Sequence, residues 1–130
     1  MEPVDGTCSP RPLTLREEAV LVAMIERGVT MGDDTSVTDA DRSRWLAQVP
    51  RTRAGRPCGC GTCPSIGLTD TDGSTPELHD DRVVLQASTT GALLLLFIDG
   101  DRLSELELAP LSDGTPFSQF PDPDGLSFFD

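Results

Sequence analysis

Residues 92–98, ALLLLFI, are seven apolar residues in a row, bounded by Thr89-Thr90-Gly91 before them and Asp99-Gly100-Asp101 after them. The run is far shorter than the roughly 20 residues that a membrane-spanning helix needs. Turn residues at both ends leave it room only to be a strand. It therefore reads as the central strand of an antiparallel meander, with residues 82–88 paired through the first turn and residues 103–108 through the second. Such a strand is covered on both faces, or on one face with a partner beyond. In the third strand Leu106 and Leu108 alternate with Glu105 and Glu107, but Leu103 falls on the glutamate parity. A bulge or a delayed strand start is expected there.

Helix signals precede the meander. Thr14 with Glu17 makes a capping box, in which hydroxyl and carboxylate satisfy orphan amide donors reciprocally, and Gly28 reads as the residue that closes this helix. Between them residues 19–25, AVLVAMI, are apolar all round, wider than the stripe a surface helix buries. This helix either sits deep or offers a spare face to a partner. Thr38 with Asp41 repeats the start signal, and Asp39 and Asp41 lie where the helix dipole favours negative charge. Trp45, Leu46 and Val49 share one face, and Pro50 stops the second helix. Trp45, the single tryptophan, is expected as a core anchor.

Helices followed by strands point to an α+β domain: two N-terminal helices packed on a small antiparallel meander, joined by strands on either side of a cysteine-rich stretch. The rival arrangement leaves residues 51–60 as a loop. At 130 residues one domain is expected, burying roughly two-thirds of its unfolded surface. Residues 1–13, with three prolines and no periodicity, read as a flexible arm, and residues 14–130 as the domain, ending in an irregular tail. Phe117, Phe120, Phe128 and Phe129 are expected to anchor that tail to the sheet and to cover apolar surface that would otherwise favour a homodimer.

The chain carries 22 acidic residues against ten basic ones, a net charge of −12, and every basic residue is arginine. That balance repels nucleic acid and anionic membrane and favours solubility or a cationic partner. No basic n-region or apolar h-region marks the N-terminus, which together with the cysteine usage places the expected compartment in the cytoplasm.

Residues 51–66, RTRAGRPCGCGTCPSI, gather three of the four cysteines and three of the ten arginines. Cys58, Cys60 and Cys63 supply three thiols within one turn, raw material for a tetrahedral zinc site whose fourth ligand would be Cys8 or His79. Neighbouring arginines at 51, 53 and 56 would stabilise thiolates, so a redox-active dithiol is a second reading. Gly59, Gly61 and Thr62 beside the arginines offer a third, anion binding, although the absence of lysine excludes a P-loop. The fourth is packing: small residues fitting a crowded turn. Asp70-x-Asp72-Gly73 and residues 121–125 fail the calcium-loop register and read as turns.

R-x-C-G-C-G-x-C-P-S over Arg56 to Ser65, the loosely matching GDRLSELE around Asp101 to Glu107, and F-P-D-P over Phe120 to Pro123 resemble a group of short uncharacterised actinobacterial proteins. The resemblance spans residues 45–125, Thr62 being an addition to that group's cysteine spacing, and it implies no activity. With no catalytic constellation in view, the expected function is that of a small acidic, non-catalytic protein-interaction domain, of the inhibitor or immunity-protein kind, acting on a basic partner as a monomer or homodimer. No cofactor is expected; the alternative is a zinc or redox-active thiol protein built on Cys58, Cys60 and Cys63.

Overall fold

A computed structural model describes residues 11–30, 37–57, 65–70, 82–111 and 119–128. Both helices start at the capping boxes. Thr14 Oγ1 accepts the Glu17 N–H at 3.0 Å and Glu17 Oε1 accepts the Thr14 N–H at 2.9 Å, opening α1, Leu15–Arg27. Thr38 and Asp41 exchange the same pair of bonds at 3.1 and 3.0 Å, opening α2, Asp39–Gln48. Pro50 sits in the 3-10 turn Val49–Arg51 that ends it.

Gly28 does follow α1, but its φ of −57° is not left-handed. The reason for glycine is space: a Cβ there would lie 2.5 Å from the Met24 carbonyl oxygen and 2.9 Å from Leu85 Cβ. The helix end is thus pressed onto a strand. Arg42 of α2 then closes the C-terminus of α1, donating through Nη1 to Ile25 O at 2.8 Å and through Nη2 to Gly28 O at 3.0 Å. A cation on these carbonyls also suits the negative end of the helix dipole.

Seven strands form one antiparallel sheet: β1 (Arg11–Pro12), β2 (Val29–Thr30), β3 (Arg53–Pro57), β4 (Ile66–Thr69), β5 (Val83–Thr89), β6 (Ala92–Asp99) and β7 (Arg102–Pro110), in the order β1-β3-β4-β7-β6-β5-β2. The α+β class holds, while its finer form needs correction. The helices do not both precede the sheet, because β1 comes before α1 and β2 lies between α1 and α2, and the sheet is larger than a small meander. β1 and β2, two residues each, carry no periodic signal and exist because longer strands beside them accept pairing. Arg11 and Pro12, within the stretch read as an arm, pair with Ala54 and Arg53. Proline is tolerated there because β1 is an edge strand. β3 is likewise a strand and not the loop of the rival arrangement.

The meander follows the sequence reading closely. Thr89 pairs with Ala92, and Asp99 pairs with Arg102 across Gly100 and Asp101. Gly100 and Asp101 have φ of 56° and 69°, the double positive φ that a two-residue type I′ hairpin requires. Phe97 faces Glu105 while Ile98 faces Leu103, so Ser104 is the extra residue of a bulge that returns Leu103 to the core side.

One face of the sheet carries the core. Leu85, Ala87, Ala92, Leu94, Leu96, Ile98, Leu106 and Leu108 are buried against Val20, Leu21, Met24 and Ile25 of α1 and against Trp45 and Val49. Leu93, Leu95 and Phe97, on the opposite face of β6, are half-buried. The tail completes the core: Phe120, Leu126 and Phe128 are buried, and Ser127 bridges Ser88 with two 2.8 Å backbone bonds. Phe117 and Phe129 lie outside the described residues.

Candidate interaction surface

All four cysteines, Cys8, Cys58, Cys60 and Cys63, and the single histidine, His79, lie outside the described residues. Among the described residues, no three histidine, cysteine or carboxylate groups converge as metal ligands would. The strands bracketing the cysteine stretch are in place: β3 and β4 pair as a hairpin, through Arg53↔Thr69 at one end and Pro57↔Ile66 at the other. The chain from Pro57 to Ile66 therefore starts and finishes on neighbouring strands.

The described residues do answer the question posed by the apolar AVLVAMI segment. α1 buries only the side bearing Val20, Leu21, Met24 and Ile25; Ala19 is exposed, and Val22 and Ala23 are half-buried. With Leu15, 89% exposed, and Pro123 of the tail, these residues floor a shallow groove of about 400 Å³ along the outer side of the helix. An exposed leucine on a helix whose other side is fully packed leaves apolar surface in water.

Charge is unevenly distributed around that groove. Glu17, on the core side, is locked: Arg11 donates to its two carboxylate oxygens at 2.9 Å each, and Thr14 N–H adds a third bond. Burial pushes the Glu17 carboxyl up, but the Arg11 hydrogen bond, the Thr14 N–H and the nearby positive charge together outweigh it and hold the group below its ordinary range. The arginines of α1 reach the tail, Arg16 donating to Phe120 O at 3.0 Å and Arg27, which also lines the groove, lying 4.4 Å over the Phe128 ring. Glu18 and Glu26 line the groove and have no ion-pair partner among the described residues. Asp122 and Asp124, the exposed neighbours of Pro123, add two more acids beside it.

A second polar constellation, which sequence reasoning missed, gathers at the β6–β7 turn. Asp101 accepts from Trp45 Nε1 at 2.8 Å and from Arg44 at 2.9 and 3.1 Å, and Arg44 also contacts Asp41. The Arg44 hydrogen bond, opposed by burial and reinforced by Trp45, holds the Asp101 carboxyl below the usual range. Trp45 is a core anchor whose indole N–H has a partner, as burial demands. Across the same strands Arg82 donates to both oxygens of buried Asp99 at 2.8 and 2.9 Å and lies 4.6 Å over the Phe97 ring. Apart from Arg44 with Asp41 on one helix, nothing local in the sequence pairs these residues: Trp45 and Arg44 with Asp101, and Arg82 with Asp99, stand 17 or more positions apart.

No family model, no curated protein and no solved structure matches this chain. Among the described residues, no helix is long and apolar enough to cross a membrane.

Proposed function

We propose that the chain is a small acidic, non-catalytic protein-interaction domain, of the inhibitor or immunity-protein kind, whose partner is basic. The observation that carries this reading is the outer side of α1: an apolar floor of Leu15, Ala19, Val22 and Pro123 rimmed by Glu18 and Glu26, which have no ion-pair partner among the described residues, and by Arg27, which is held over the Phe128 ring. A groove along a helix suits an amphipathic segment that lays apolar side chains on the floor and Lys or Arg on the rim. The net charge of −12 steers such a partner and sets the salt dependence of its arrival. The test compares three baits at low ionic strength: the natural chain, Leu15→Ser, and Glu18→Gln with Glu26→Gln. A basic protein retained by the natural chain and lost by both variants supports the reading; equal retention by all three rejects it.

A second reading has its own support in the Pro57↔Ile66 pairing, which closes the stretch bearing Cys58, Cys60 and Cys63 between neighbouring strands. A zinc site there would take Cys8 or His79 as fourth ligand, and a redox dithiol would need none. Elemental analysis of untagged protein decides the zinc form: about one equivalent supports it, and less than about a tenth of an equivalent removes it.

A further inference from the structure

The apolar run of β6 sends side chains to both faces of the sheet, and only one face is the core. Leu93, Leu95 and Phe97 stand on the other, with Glu107 opposite Leu95 and Glu105 opposite Phe97 on β7. On the β5 side Val84 pairs with Phe97 and Gln86 with Leu95, and the exposed Val29 of β2 sits beside Gln86. An apolar stripe thus runs alongside a row of two carboxylates.

Among the described residues, the helices and the tail do not cover this stripe, since their buried apolar side chains all join the core cluster on the opposite face. Leu93, Leu95 and Phe97 keep part of their surface in water. Neither Glu105 nor Glu107 has a hydrogen-bond or ion-pair partner among the described residues. Arg82, at the end of the stripe, is committed to Asp99 at 2.8 and 2.9 Å and lies over the Phe97 ring. Burial first, then Glu107, pushes the Glu105 carboxyl up, the mark of a negative charge short of compensation.

These features define the occupant. The backbone of β6 is bonded to β5 on one side and β7 on the other, so an occupant meets side chains and cannot add a strand there. A helix is the element that covers a sheet face. Leu93 and Phe97 lie about 14 Å apart along the strand, which a helix spans in about nine residues, and basic side chains one helical turn apart match the roughly 7 Å between Glu105 and Glu107. A second copy is the wrong occupant, because it would bring a further charge of −12 and another pair of these glutamates.

We propose that this face docks an amphipathic helix of a basic partner protein, its apolar side chains on Leu93, Leu95 and Phe97 and its arginines or lysines along Glu105 and Glu107. The face lies across the sheet from α1, so the two surfaces are independent and the two readings fail separately.

Methyl NMR of the full chain tests it, the probe being a synthetic peptide of about 14 residues with leucine on one helical side and arginine one turn apart beside it. The expected result is saturable shifts of the Val84, Leu93 and Leu95 methyl signals, with one Kd on the order of 0.1 mM or below. Glu105→Gln with Glu107→Gln should weaken binding about tenfold, and Leu95→Thr, which keeps a strand-forming residue, should weaken it as well. A peptide of the same composition in scrambled order should bind at least about tenfold more weakly, because charge alone does not place apolar side chains on the stripe. No saturation up to about 1 mM, equal affinity in the double glutamine variant, equal binding of the scrambled peptide, or shifts confined to Leu15 and Val22 of α1 overturns the proposal. So does a dimer in sedimentation that Leu95→Thr dissociates, since a second copy would then hold the face.

Discussion

The side-chain amide of Gln48 stands in for a strand against Leu103: Oε1 accepts the Leu103 N–H at 3.1 Å, and Nε2 donates to the Asp101 carbonyl at 2.8 Å. These are the two backbone groups that flank Arg102, whose pairing with Asp99 lies on the other side of β7. A helix residue thus satisfies the edge that β4 leaves. Gln48→Ala should destabilise the fold by about 1–2 kcal/mol, the net worth of two hydrogen bonds. Gln48→Glu should be no better, since it keeps the acceptor and loses the donor. Urea denaturation of the two variants checks both statements.

Asp101 is a test of geometry against charge. Its φ of 69° suits asparagine or glycine, and its carboxylate serves Trp45 and Arg44. Asp101→Asn keeps the left-handed preference and an acceptor for the indole, so it should cost less than about 1 kcal/mol. Asp101→Ala loses both and should cost about 2–3 kcal/mol. Thermal melts showing alanine as mild as asparagine would remove this account of the turn.

Arg82→Ala should be more damaging than any surface arginine substitution. It takes the guanidinium from Asp99, which is only 2% exposed. Breaking a fully buried pair costs about 3–5 kcal/mol, and the one-third exposure of Arg82 places this case near the lower end, about 3 kcal/mol. Arg51→Ala is the comparison, expected within about 0.5 kcal/mol of the natural chain.

Acidity acts in two directions. Glu17 and Asp101 have folded pKa values below their unfolded ones, so their contribution is complete above the ordinary carboxylate range and is lost as pH falls through about 4 and below. Glu105 behaves oppositely: burial first, then Glu107, raises its pKa, so ionising it in the fold is unfavourable. That penalty is absent below its unfolded pKa and is fully present once pH exceeds the folded value. Glu105→Gln should therefore stabilise the protein at pH 7, with the gain shrinking as pH approaches 4. Denaturation curves across pH 3–7 that show a constant gain, or none, would contradict this.

Removing residues 112–130 takes away Phe120, Leu126, Phe128 and the Ser88–Ser127 bridge, each part of the core or sheet. Truncating one buried phenylalanine alone costs about 3–5 kcal/mol. The shortened chain should aggregate or oligomerise, and light scattering that finds it monomeric and equally stable would show that the tail is dispensable.

Much of this fold is legible because the deciding interactions are local. Thr14 with Glu17 and Thr38 with Asp41 lie three residues apart, and the parity break at Leu103 is visible within one strand. What escapes reading is non-local. β1 and β2 are too short to have a pattern; β3, the strand expected before the cysteine stretch, has Arg53 and Gly55 in it and is held by pairing with β4 and β1. Gly28 carries a glycine because Leu85, 57 positions later, needs the space. The candidate groove is half legible: the excess apolar width of residues 19–25 announces it, but which side is left over depends on the sheet.

β1 and β2 immediately bracket α1, yet they lie on opposite borders of the sheet, so one helix ties the first strand in the order to the last. Detaching α1 would release both borders in a single event and expose two rows of unpaired backbone at once. Amides near Ala54 on one side and Gln86 on the other should accordingly exchange with deuterium at matched rates, as parts of one opening unit. A cut or a new pair of termini within Leu15–Arg27 would sever that link, and the resulting chain would be prone to stack border to border with its own copies.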